Sequence, residues 1–194
     1  MLIDKLKNYR IILASKSPRR QFLLSEIGVD FETLVVETEE SFPKHLKSYK
    51  IPLYLSRKKA DAISLDLDEK TILITADTIV WINNSVINKP GNFNEAVKML
   101  QTLSGNCHEV FTGVTIKSKS KQISFYAQSK VYFRKLKKKE IEYYVEHFKP
   151  YDKAGAYGIQ EWIGYIGIKK IEGSFYNVMG LPITLLYSKL AEFM

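Results

Sequence analysis

Asp77 is the residue that asks first for an explanation. It sits inside the apolar, β-branched run Thr71–Ile82, where a carboxylate is costly unless it is paired, hydrogen-bonded or metal-bound. Beside a phosphate site, such a group can hold a divalent ion or serve as a general base. Taken alone, a turn aspartate between two short strands is the commoner explanation. A second candidate is the junction Leu13-Ala14-Ser15-Lys16-Ser17-Pro18-Arg19-Arg20. Pro18 suits the first helical position and leaves backbone N–H groups pointing out of a helix end, with the positive pole of the dipole behind them. Serine hydroxyls and two arginines in the same loop give the chemistry of an anion site. The plainer alternative makes Ser17 an N-cap and the arginines surface charges.

Lys59 is the third candidate. It shares a helix face with Leu55, Ala62 and Ile63, so it lies along the apolar stripe. Snorkelling explains that placement, and so does a lysine reaching into a phosphate cleft. Lys89, in Lys89-Pro90, is a surface lysine or a phosphate contact. Glu39-Glu40 offers further carboxylates, which in a loop are more often solvated than metal-bound. His45, His108 and His147 lack zinc-ligand spacing. No G-x-x-x-x-G-K-[ST] loop and no nucleophile elbow occurs. Together these residues describe a cationic cradle for a triphosphate with a carboxylate at its centre.

The elements that must position them follow from patterning. Tyr9–Ala14 reads as a strand, followed by a loop and a helix to about Ile27, which Gly28 can terminate. Phe31–Val36 reads as a strand and Glu37–Tyr49 as a loop. A helix follows from about Pro52 to Ser64. Thr71–Ala76 is a central strand that Ile79–Ile82 extends or resumes, with a turn at Asn83-Asn84 and a strand at Val86-Ile87. Asn94–Ser104 is a helix closed by Gly105. Glu109–Lys117 and Ile123–Phe133 form an antiparallel hairpin. Ile141, Tyr144, Val145 and Phe148 mark a helix ended by Pro150. Short strands and a last helix, Pro182–Phe193, follow the Gly-rich stretch Ala154–Gly167. Mixed order of this kind predicts an α/β fold with a mixed sheet.

The 194 residues suit a single domain, 1–194. No segment has the apolar length of a membrane span, and the N-terminal residues carry charge where a signal peptide has its apolar region. One cysteine, Cys107, excludes an internal disulfide framework and fits a reducing, cytoplasmic compartment. There are 29 basic and 21 acidic residues, a net charge of +8, which favours polyanionic partners. Much of the excess lies in Lys117–Lys121, read as a hairpin tip, and Arg134–Lys139, read as a helix approach. Neither run is interleaved with aromatics, so both are weighed as solvated surface and nucleic-acid binding is the minor reading.

The motifs Ala14–Arg20, Ala76-Asp77-Thr78-Ile79-Val80 and Asn88-Lys89-Pro90 resemble those of the Maf-like nucleoside triphosphate pyrophosphatases. Leu103-Ser104-Gly105, His108, Val110, Thr112, Gly113, Asp152–Gln160 and Val178–Pro182 extend the resemblance from about Arg10 to the last helix. It implies a mixed, twisted sheet with flanking helices, two lobes around a nucleotide cleft, and commonly a homodimer. It also implies hydrolysis of nucleoside triphosphates to monophosphate and pyrophosphate with a divalent metal, Mg²⁺ or Mn²⁺, and a link to septum-formation arrest. By motif position, Asp77 takes the catalytic carboxylate role and, with Glu40 (or Glu39), the metal. Arg19, Arg20, Lys59 and Lys89 would bind phosphates, and Ser15 and Ser17 would line the cradle.

Arg19, Thr78 and Gln160 match the branch acting on dTTP and UTP, against a runner-up specificity for 7-methyl-GTP or for modified nucleotides in a house-cleaning role. The Gln160 amide offers the donor and acceptor that complement O4 and N3–H of uracil or thymine. Glu161 departs from the pattern, standing where glycine is usual. Two other classes make competing predictions: a nucleic-acid binder whose affinity survives Asp77→Asn, and a regulatory protein whose site has decayed.

Overall fold

The β-branched run around Asp77 folds as one uninterrupted strand. β3, Thr71–Ile82, is buried at every position except Thr78, which is half-buried. Asp77 is therefore not a turn residue; it sits in mid-strand with 6% of its surface exposed. The computed structural model describes residues 1–35 and 38–194. In it β1, Arg10–Ala14, runs parallel to β3 from the pair Arg10/Thr71 to the pair Ala14/Thr75. β4, Ser85–Ile87, folds back antiparallel on the end of β3. The connecting Asn83 and Asn84 have φ of 52° and 57°, the left-handed pair that a tight hairpin turn needs.

β2 is only two residues long, Glu32–Thr33, and runs parallel to β1. Both of its residues are exposed, so no inward apolar row prolongs the ladder over the expected 31–36. Val36, the last residue of that expected strand, and Glu37, the first of the expected loop, lie outside the described residues. β5, Cys107–Lys117, and β6, Gln122–Phe133, are the expected long hairpin, and Ser118 N bonds Lys121 O across its lysine-rich tip at 2.8 Å. The sheet order is β2-β1-β3-β5-β6-β7, with β4 on β3. β7, Ile168–Glu172, pairs antiparallel with β6. The expected mixed α/β architecture holds.

The described chain falls into two compact units. The first comprises Met1–Asp77, Thr112–Ala127 and Gly180–Met194. It carries helices α1 (Leu2–Leu6), α2 (Pro18–Ser25) and α3 (Lys50–Asp61), and the terminal helix Ile183–Phe193. Ile12, Ala14, Ala60, Leu67 and Leu73 form a core cluster there, with Leu34, Ile63 and Leu65 against it. α1 was not expected from the charged N-terminus; it forms because Leu2 and Leu6, four residues apart, are both buried.

The second unit comprises Thr78–Phe111 and Gln128–Met179. Here α4 (Phe93–Leu103) packs on α5 (Lys138–Phe148) and on a 3₁₀ turn, Ala154–Ala156. The Asn92 side chain caps α4 by accepting Glu95 N–H at 2.9 Å. Gly105, just past the end of α4, has φ +75°, as the sequence predicts. The Gly-rich stretch holds a short helix, α6 (Trp162–Gly167). The short strands expected after it reduce to β7 alone, and Phe175–Met179 is a helical turn, α7. The terminal helix is α8.

Candidate active site

The loop between β1 and α2 is built by its own serines and by Arg20. Ser17 occupies the N-cap position of α2 but its side chain makes no cap bond. Its backbone N–H instead donates to Ser15 Oγ at 3.2 Å. Gln21, one turn into the helix, donates Nε2–H to Ser15 O at 3.1 Å. The loop therefore folds back on the helix end and leaves the Ser17 hydroxyl outside the cap. Arg20 donates from Nε to Gly180 O at 2.8 Å and from Nη1 to Ala76 O at 2.9 Å and Ser15 Oγ at 3.4 Å. A guanidinium has donors fanned in one plane, and these three fasten the loop to the residue before Asp77 and to the approach to α8. Burial pulls Arg20 below its ordinary pKa, with the charge of Asp77 opposing. Arg19 precedes it, half-buried, in the first turn of α2.

α3 is laid along β3 by two contacts of different kinds. Thr75 Oγ1 donates to Ser56 O at 2.7 Å, and Ser56 Oγ lies 3.0 Å from Thr115 Oγ1 on β5. Lys59 is three residues beyond Ser56 on the helix, and Asp77 two beyond Thr75 on the strand, so each pair shares a face with its neighbour. Lys59 Nζ accordingly reaches Asp77 Oδ1 at 2.6 Å. The same ammonium donates to Glu40 Oε1 at 3.0 Å. Lys58 fastens the adjoining loop through Ser41 O and Oγ, both at 3.1 Å. Of the two loop glutamates, it is Glu40 whose carboxylate meets Lys59. The Lys59 side chain is 15% exposed, and its head turns inward to a carboxylate where snorkelling would carry it out to water.

Burial pushes Asp77 above the ordinary carboxylate range, against the pull of Lys59 and Arg20, and Glu40 adds to the rise. Asp77 is thus a carboxylate whose desolvation outweighs its partners, which suits a group that must take up a proton or a cation. Ser15, Arg20, Lys59, Glu40 and Asp77 all belong to the first unit and are linked by these contacts. Among the described residues no cluster of three or more His, Cys, Asp or Glu side chains could hold a metal. Asp77 and Glu40, both within reach of one ammonium, still fit a hard divalent ion. Mg²⁺ is commonly held by one or two carboxylates together with substrate phosphates, and needs no complete protein cage.

Thr78, Lys89 and Gln160 belong to the second unit. Thr78 follows Asp77 on β3, and Lys89 is an exposed residue just past β4. Asn88 O, beside Lys89, accepts Gly155 N–H at 3.1 Å. Gly155 has φ +73°, and a Cβ there would meet Val80 Cγ2 on β3 at 3.0 Å. Gln160 precedes α6, and its Oε1 is buried with no hydrogen-bond partner among the described residues.

The sequence model of the Maf-like proteins matches residues 10–193. This chain belongs to that family. Two curated relatives are each 52% identical. The dTTP/UTP pyrophosphatase of Parabacteroides distasonis aligns over 99% of this chain and 100% of its own. That of Bacteroides thetaiotaomicron aligns over 98% and 100%. Among solved structures, the Ham1 protein of Staphylococcus aureus shares the fold at a TM-score of 0.52 and 14% identity, over 95% of this chain and 100% of that one.

Two features of the structure are not legible in the sequence alone. One is the use of Arg20 to tie protein oxygens together. The other is a polar cluster in the second unit, made by Tyr144, Lys153 and Glu161. Tyr144 lies in an apolar helix stripe, where its hydroxyl was the available signal, because a buried phenol needs a partner.

Proposed function

We propose that this Maf-like protein hydrolyses dTTP and UTP to the monophosphate and pyrophosphate. The observation that carries the reading is Asp77, a buried mid-strand carboxylate paired with Lys59 and set beside the serine- and arginine-rich end of α2. The names borne by the 52%-identical relatives support the substrate class. We further propose that residues 1–194 act as one catalytic domain, supported by the family match over 10–193. Its compartment is read as the cytoplasm, supported by the single cysteine, Cys107, a free and exposed thiol.

In the mechanism, the Ser15 and Ser17 hydroxyls at the positive end of α2 receive phosphate oxygens, with Arg19 adding charge. Arg20 holds that loop against Ala76 and so keeps it in register with Asp77. Lys59 and Lys89 offset charge on the leaving pyrophosphate. Asp77 orients a water for attack on the α-phosphorus and accepts its proton, which burial favours. Asp77 and Glu40 would hold a divalent ion, which when bound supplies charge neutralisation at the phosphate oxygens. Gln160 receives the base: Oε1 accepts N3–H and Nε2 donates to O4. The unpartnered Oε1 supports that role, since a buried acceptor without a partner costs stability unless a ligand completes it. Product analysis tests the reading: monophosphate and pyrophosphate from UTP and dTTP, lost in Asp77→Asn, are expected. Diphosphate and orthophosphate as products, or no turnover, would overturn it.

A further inference from the structure

Gln160 stands at the third position of a turn closed twice over. The turn runs Gly158-Ile159-Gln160-Glu161, and Glu161 N–H donates to Gly158 O at 3.0 Å. A second closure passes through one hydroxyl. Tyr144 OH accepts Gly158 N–H at 3.0 Å and donates to Glu161 Oε2. The other carboxylate oxygen, Oε1, takes Lys153 Nζ at 3.1 Å, and Lys153 is held in turn by Asp152 Oδ1 at 2.7 Å. Tyr144 is wholly buried, and the Lys153 and Glu161 side chains are only 10% and 20% exposed. Burial, then the bond to Glu161, pushes the Tyr144 phenol far up, so the hydroxyl keeps its proton and donates it.

The turn also leaves no slack. A Cβ on Gly158 would lie 2.6 Å from Glu161 Cδ, so the glutamate side chain fills the space that glycine leaves. Past the turn, Glu161 O accepts Gly164 N–H at 2.8 Å, and a Cβ on Gly164 would stand 1.9 Å from Ile159 O. The main chain on both sides of Gln160 is therefore fixed by bonds among Gly158, Glu161, Gly164 and the Tyr144 hydroxyl.

We infer that Glu161, held between Tyr144 and Lys153, is a positioning residue that fixes the turn carrying Gln160 and so sets discrimination between uracil and cytosine. The inference rests on the proposed role of Gln160 as base reader. A glutamine amide that accepts N3–H and donates to O4 of uracil needs only a half-rotation to suit cytosine, whose N3 accepts and whose N4 donates. An amide on a mobile turn would therefore accept both bases. Selectivity requires the amide to meet the base from one fixed place, and the double closure through Tyr144 fixes the main chain that carries it.

The test measures kcat and KM for UTP and CTP in wild type, Tyr144→Phe and Glu161→Gln, with Gln160→Ala as reference. Tyr144→Phe keeps the ring and removes both bonds at the hydroxyl. It is expected to raise KM for UTP about tenfold, leave kcat within about twofold, and cut the UTP/CTP ratio of kcat/KM about tenfold, the scale of a misplaced contact. Glu161→Gln retains an acceptor for the phenol and is expected to retain most of the ratio. Should Tyr144→Phe fail to fold, Glu161→Ala, which spares the Gly158–Tyr144 bond, carries the same expectation. An unchanged UTP/CTP ratio in folded Tyr144→Phe or Glu161→Ala, or an equal fall in kcat for both substrates, would overturn the inference alone. A wild-type protein that turns over neither UTP nor dTTP would bring down the proposed function and this inference with it.

Discussion

Lys59 Nζ stands 2.6 Å from Asp77 Oδ1 and 3.0 Å from Glu40 Oε1, one ammonium shared by a buried carboxylate and a half-exposed one. Even so, Asp77 is held above the ordinary carboxylate range because desolvation exceeds what its cations return. The charged form is therefore a cost to the fold. Asp77→Asn removes that charge at constant shape and is expected to melt at or above the wild-type temperature. Turnover should fall about 10³-fold or more, the scale of a lost general base. Calorimetry on the same preparation used for kinetics checks both halves; a marked loss of stability would contradict the desolvation account.

Arg20 touches Gly180 O, Ala76 O and Ser15 Oγ through donors fixed in one plane. A lysine keeps the charge but cannot meet three acceptors in that geometry. Arg20→Lys is expected to cost about 2 kcal/mol of stability, the scale of stranded carbonyl acceptors. A urea midpoint within error of wild type would show that the guanidinium geometry is immaterial.

His108 gives the fold a pH dependence of known sign. It is 1% exposed, hydrogen-bonded to Tyr157 OH through Nε2 at 2.7 Å, with no partner on Nδ1 among the described residues. Burial lowers its pKa from 6.5 to about 4. Below pH 6.5 the unfolded chain takes up a proton that the folded chain refuses, so stability falls as pH falls and the loss is complete near pH 4. Linkage puts the loss between pH 7 and pH 5 at about 2 kcal/mol. Urea melts at the two pH values measure it, and His108→Gln should flatten that part of the profile.

Gly113 lies in β5 where α3 passes closest. A Cβ there would stand 2.3 Å from Pro52 O and 2.5 Å from Leu53 N. Backbone cannot yield as a side-chain tip can, so Gly113→Ala is expected to cost about 3 kcal/mol, at the upper end for overpacking. The same shift would move Lys59 off Asp77, so activity should fall more steeply than stability. A fully active Gly113→Ala would contradict the placement of α3.

The parts of the site that the sequence made visible are those where a residue contradicts its element. Asp77 interrupts an apolar strand and Lys59 an apolar helix face, and each finds the other. The Ser-Pro-Arg-Arg loop was visible because proline, serine and arginine have distinct roles at a helix start. The strand through Asp77 was harder to read, since local residue preference alone allowed a turn there and the pairings on either side, with β1 and β4, hold it extended. Arg20 could not be read fully, because its acceptors at Ala76 and Gly180 are backbone atoms far along the chain. Tyr144 counted as one more apolar residue in a helix stripe, and only its hydroxyl distinguishes it from phenylalanine. β2 stopped at two residues because Glu32 and Thr33 offer no apolar face.

The central claim is the reaction itself, and product analysis of UTP and dTTP with Mg²⁺ or Mn²⁺ tests it most directly, with CTP, GTP and 7-methyl-GTP alongside. The account predicts monophosphate and pyrophosphate in equal amounts from the two pyrimidine substrates, and none from Asp77→Asn. Release from 7-methyl-GTP alone would contradict the assignment of Thr78 and Gln160. A fully active Asp77→Asn protein would contradict the account at its centre.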